Sequence, residues 1–264
     1  MLSSMFRASL MAGALALSVM STAALAESVI PFTVNPGAIG APQGSFTASY
    51  MDFSYVALVD QVATGGVGTF TEEGAGFFSS FRHPDLATVV TNTGINENYR
   101  IYGVYTGAGT VAPTATGGLT ATFTDFNLRL FADPQMNTTI VADGTGPPNG
   151  TVSVGGTVAD DILIGQSVGL VAGEAHIFSG LANGDFAVLV SFQPTGGFLT
   201  GITQLAIGNF NGVNTSLQGI SFGTFVDGRI DGSGNFSIVP EPSSLLLLGS
   251  GLAALGWFNR KPRR

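Results

Sequence analysis

The sequence predicts an all-β fold, a single β-sandwich with the jelly roll among the forms open to it. Three observations carry that reading. Between Glu27 and Val239 no stretch repeats apolar residues at the helical period. In place of helices there are short runs of alternating, β-branched and aromatic residues, punctuated by Gly, Pro, Asn and Asp. Twenty phenylalanines supply the apolar area that one large core needs. Residues 1–26 and 240–264 stand apart from this body, each with an apolar run of its own, and a helix is expected on either side of the sandwich.

The strands follow in order. Met51, Phe53, Tyr55 and Ala57 alternate with Asp52 and Ser54, which gives a strand one apolar side. Tyr99, Ile101 and Gly103 alternate with Arg100, Tyr102 and Val104. From Thr120 to Phe131 the alternation runs in two registers. Ala121 and Phe123 share one face and Phe126, Leu128 and Leu130 the other, and the shift near Thr124 and Asp125 predicts a bulge. Further strands are expected at 151–158, 161–164, 175–178, 186–192 and 220–226, with a last one at 236–239. No fixed-period repeat divides the body, and Pro147-Pro148-Asn149-Gly150 reads as a loop within one domain.

The first 26 residues have the three parts of a signal peptide. Arg7 gives positive charge, residues 8–20 are apolar, and Ala24-Leu25-Ala26 offers Ala24 and Ala26 to signal peptidase, with cleavage before Glu27. At the other end, Pro240-Glu241-Pro242 holds the chain extended and outside any helix. A helix can start at Ser243 or Ser244, both good N-caps. The charge-free run 243–258 then has 16 residues, about 24 Å of helix and a short span for a bilayer. Arg260, Lys261, Arg263 and Arg264 follow as a basic stop on the cytoplasmic side. Both ends place the body outside the cytoplasm.

That tail resembles the PEP-CTERM sorting signal of exopolysaccharide-producing Gram-negative bacteria. The resemblance implies that Pro240, Glu241 and Pro242 are recognised by an exosortase, an integral-membrane protease that releases the protein from a transient inner-membrane anchor to the cell surface or matrix. An ordinary C-terminal anchor is the alternative. Within the body, Pro31-Phe32-Thr33-Val34-Asn35-Pro36, Gly68-Thr69-Phe70-Thr71-Glu72 and Tyr102-Gly103-Val104-Tyr105 resemble the flocculation-associated PEP-CTERM proteins. So do Leu130-Phe131-Ala132-Asp133-Pro134 and Asp160-Asp161-Ile162-Leu163. That likeness implies association with exopolysaccharide in flocs or biofilm.

Charge and residue types narrow the chemistry. Between Glu27 and Pro242 lie four arginines, no lysine and all 17 acidic residues, a balance that repels phosphate backbones and excludes nucleic acid as a partner. Two histidines and no cysteine are too few for a typical zinc site. Gly165-Gln166-Ser167-Val168-Gly169 matches the nucleophile-elbow pattern, but no helical pattern follows it and His176 stands only nine residues on. Gly107 to Ala112 and Gly249 to Ala254 mimic dinucleotide fingerprints without the strand–turn–helix setting. No cofactor is expected, and calcium is the one metal the composition suits. Asp227, Asp231 and Asn235 lie in an oxygen-rich, glycine-loosened loop, and Asp160-Asp161 with Asp143 forms a second candidate. Asp-Gly pairs are also hairpin signals, and the hairpin is the reading the sequence favours for them. The expectation is a non-enzymatic exported protein of adhesion or matrix organisation. A calcium- or carbohydrate-binding module is the alternative, and a secreted hydrolase comes third.

Overall fold

The fold is taken from a computed structural model, which describes residues 29–64, 66–144, 150–178, 184–208, 216–218 and 225–239. Nearly all of these belong to one compact unit, Ile30–Ile238. In chain order the strands are β1 (Phe32–Val34), β2 (Phe46–Ala48), β3 (Tyr50–Thr64), β4 (Val67–Arg82), β5 (Arg100–Pro113), β6 (Leu119–Asp133) and β7 (Thr139–Asp143). They continue as β8 (Thr151–Gly155), β9 (Ile162–Ile177), β10 (Gly184–Pro194), β11 (Leu199–Thr200), β12 (Gln204–Gly208), β13 (Ser216–Gln218) and β14 (Phe225–Ile238).

Eight of them close into an antiparallel barrel in the order β3-β4-β5-β6-β9-β10-β12-β14, and β14 returns to β3. Each barrel strand neighbours the next one along the chain, so the barrel winds up and down without a crossover. The expected sandwich is corrected by this closure. Strands such as β3, β4 and β9 run 15 or 16 residues, and every barrel strand is paired on both edges. The twist of so long a sheet rolls it until its last strand meets its first, which leaves no open edge. The seam is made by β14, which pairs β3 along its length and β12 from Asn235 to Ile238. Among the described residues there is no α-helix, only short 3-10 turns at Pro36–Ile39 and Val158–Asp160. None of them is long and apolar enough to cross a membrane. The two expected flanking helices fall outside the described residues.

Strand limits also differ from expectation, and glycine is the reason. The separate strands expected at 161–164 and 175–178 are the two ends of β9, and the Asp227–Asn235 stretch read as a loop is the middle of β14. Glycine there marks close approach of aromatic rings rather than turns. Gly74 faces Tyr105 across the β4–β5 pair, and a Cβ at Gly74 would fall within the tyrosine ring. A Cβ at Gly232 would lie 2.6 Å from Tyr55. Large and small residues thus alternate around the inner wall, as a narrow barrel requires. The predicted bulge is present: the β5–β6 register shifts between Ala108 and Gly109, opposite Thr124. It brings Phe123 and Phe126, expected on opposite faces, onto the same buried side, where their rings meet edge to face.

A three-stranded sheet, β11-β1-β2, stands at the end where β3 begins. Its Phe32, Val34 and Leu199 join the same hydrophobic cluster as Met51, Phe81 and Ile101 of the barrel. Outside the barrel, β7 and β8 form a hairpin held to the wall by the Val152 amide, which donates to Glu73 Oε1 at 2.7 Å.

Candidate functional site

Two neighbouring features of the outer wall gather polar side chains. The first stands where β6 ends. Asp133 is fully buried and caps the turn that follows, accepting from the Gln135 amide at 3.1 Å and the Thr138 amide at 2.9 Å. Asp161 Oδ2 accepts from Tyr102 Oη at 2.6 Å and from Thr138 Oγ1 at 2.9 Å. Asp160, in the 3-10 turn before β9, completes a group in which Asp133, Asp160 and Asp161 each bring a carboxylate oxygen within 4.8 Å of the others. Both oxygens of Asp160 and Oδ1 of Asp161 are shielded from solvent and meet no hydrogen-bond donor among the described residues.

That donor set fits calcium: hard, anionic oxygens on two chain segments, with polar neighbours to complete six to eight ligands. Asp143 is not part of it; it sits at the end of β7, paired with Thr151. Asp133 was not singled out as a ligand from the sequence, because its closeness to Asp160 depends on β6 and the start of β9 running side by side, with Ala132 opposite Ile162. The Asp227–Asn235 candidates do not converge. Along a strand, residues four apart lie about 13 Å from one another. Asp231 takes a two-pronged contact from Arg229 at 2.9 and 3.0 Å, and Asn235 gives its amide to Asp52.

Tyr102 links the acidic group to an aromatic strip on the same wall. Its ring stacks on Phe131 at 5.1 Å and meets Phe77 edge to face at 6.3 Å, while the Arg100 guanidinium lies 4.9 Å over Phe77. Burial, and next the bond to Asp161, push the Tyr102 hydroxyl well above the ordinary tyrosine range, so it stays a donor.

The second feature is a groove of about 370 Å³ between the β7–β8 hairpin and the wall, lined in part by Thr106, Asn127, Arg129, Gln166, Ser167 and Val152. It overlies a break in the β6–β9 ladder, which pairs at Thr122↔Glu174 and resumes only at Arg129↔Gln166. Ser167 Oγ bridges this break, accepting from the Leu128 amide at 2.8 Å. The nucleophile-elbow pattern therefore lies inside a strand, and its serine is engaged with backbone. His176 pairs with Asp185 across β9 and β10, at 2.8 Å.

Pro240, Glu241, Pro242, Ala24, Ala26, Arg260, Lys261, Arg263 and Arg264 lie outside the described residues. The family model of the PEP-CTERM protein-sorting motif matches residues 239–261, which take in the Pro-Glu-Pro triplet, the apolar run and the first two basic residues. No curated protein and no solved structure matches the chain. The motif marks a surface protein sorted through an exosortase, with a membrane-anchored C-terminal signal.

Proposed function

Because the chain ends in a PEP-CTERM protein-sorting motif, we propose that it is a non-enzymatic exported protein that associates with exopolysaccharide at the cell surface and serves in adhesion, as in flocs or biofilm. The observation that carries this reading is the motif at 239–261. Signal peptidase at Ala24 and Ala26 and an exosortase at Pro240–Pro242 are its processing partners, and the inner membrane is a transient stop. The acidic body is consistent with the reading, since its charge repels phosphate backbones. The outer groove supports it too: Thr106, Asn127, Arg129 and Gln166 offer donors and acceptors suited to sugar hydroxyls. Deleting the gene tests it. Flocs should be lost while polysaccharide secretion continues; intact flocs, or a block in secretion itself, reject the proposal.

A second reading rests on the shielded oxygens of Asp160 and Asp161, which suit a bound calcium ion at the Asp133 group. Melting of the purified exported protein in millimolar calcium and in chelator is the check. Calcium should raise the midpoint by several degrees, because a ligand well above its dissociation constant stabilises by kilocalories. Asp160→Asn should shrink the shift. A difference below about 1 °C, or one that Asp160→Asn leaves intact, rejects the site.

A further inference from the structure

The interior of the barrel is not packed throughout. A cavity of about 100 Å³ lies inside it, bounded by rings that include Phe53, Tyr55, Phe70, Tyr105, Phe123 and Phe126. Part of its wall carries no side chain at all, because Gly76 of β4 and Gly103 of β5 are paired partners and both face it. Two carboxyl groups border the space. Asp185 is half exposed and held by His176. Glu72 projects inward from β4, where Tyr105 Oη donates to its Oε1 at 2.7 Å.

We propose that this cavity binds a small uncharged molecule, about the size of a benzene ring, that carries one oxygen placed to meet the Glu72 carboxyl. Size sets the first limit, since a cavity of roughly 150 Å³ with an apolar lining takes up benzene. Chemistry sets the second. The lining is overwhelmingly apolar, so water would find too few of the two to four polar partners it needs. Glu72 is protonated up to about pH 7 because burial raises its pKa. With Oε1 engaged by Tyr105, the acid proton on Oε2 is the donor a ligand oxygen would meet. A charged ligand would have to shed its hydration among aromatic rings, at far greater cost. The site owes nothing to the sorting tail or to the outer groove, so it stands or falls independently of the matrix reading.

Melting curves of the purified exported protein, taken with millimolar phenol and with benzene, test this. Phenol at about ten times its dissociation constant should raise the midpoint by about 3 °C, and benzene by less at the same concentration. Glu72→Gln should narrow that difference between the two probes. Ala121 and Ala175 are cross-strand partners that both border the cavity, so Ala121→Phe should fill it and abolish both shifts. If Ala121→Phe fails to fold, Ala175→Leu gives the same test from the facing strand. Absence of any shift, a phenol shift that survives filling, or a phenol–benzene difference that Glu72→Gln leaves unchanged would each overturn the proposal.

Discussion

Glu72 stands on β4 between Phe70 and Gly74 in the residue alternation that faces the barrel interior, and that position decides its protonation. Burial raises the carboxyl from 4.5 to about 7, against a smaller opposing effect of the Tyr105 hydrogen bond. The acid of the unfolded chain releases its proton near 4.5, so between that pH and about 7 only the folded form keeps it. Stability from this group is therefore full below about 4.5 and falls as pH rises towards 7, by up to about 3 kcal/mol. Urea midpoints of the wild type should drop between pH 5 and pH 8, and Glu72→Gln should flatten the part of that slope due to this group. An identical slope in the variant would mean that the carboxyl is not buried. Tyr105, pushed well above its ordinary range by burial and then by Glu72, remains a hydroxyl throughout. The sequence did not mark Glu72 as an inward-facing acid, since nothing local tells which way a strand side chain points once glycine interrupts the apolar alternation.

Glycine governs the elements. β4 holds three glycines, at 68, 74 and 76, and β5 beside it supplies three more, at 103, 107 and 109. From the chain alone these residues punctuate; in the barrel they make room. Gly74→Ala should destabilise by about 1–3 kcal/mol, since the new methyl group falls within the Tyr105 ring. The penalty should shrink in a Tyr105→Leu background, a coupling that denaturant unfolding of the two single variants and the double variant would measure. Equal cost in both backgrounds would show that the ring is not what excludes the side chain. The bulge at Thr124 was legible because it is written in apolar residues, Phe123 before it and Phe126 after it. The full length of β9 was not, because Gly165, Gly169 and Gly173 interrupt its apolar run.

At the scale of the whole molecule, sorting and folding use separate parts of the chain. The sorting motif matches residues 239–261, and its Glu241 stands between two prolines, a sequence setting that disfavours helix in any chain. Glu241→Ala should leave full-length protein in the inner membrane, while the wild type should reach the surface without its tail. Mass spectrometry of surface material decides this: peptides from residues 245–264 in the exported form would reduce the tail to an anchor.

The sequence by itself determined the sorting signal, the β class and the bulge in β6. Each of these depends on residues close together in the chain or on composition alone. Tertiary structure decided that the sheet closes, that Asp133 joins Asp160 and Asp161, and that Glu72 faces a cavity. These depend on which strands become neighbours, and on twist accumulated over eight of them. The repeat of a single strand records only that one side is buried. Whether that side meets a second sheet or the far wall of its own barrel is settled by length, by pairing and by the glycines that let large rings share a narrow interior.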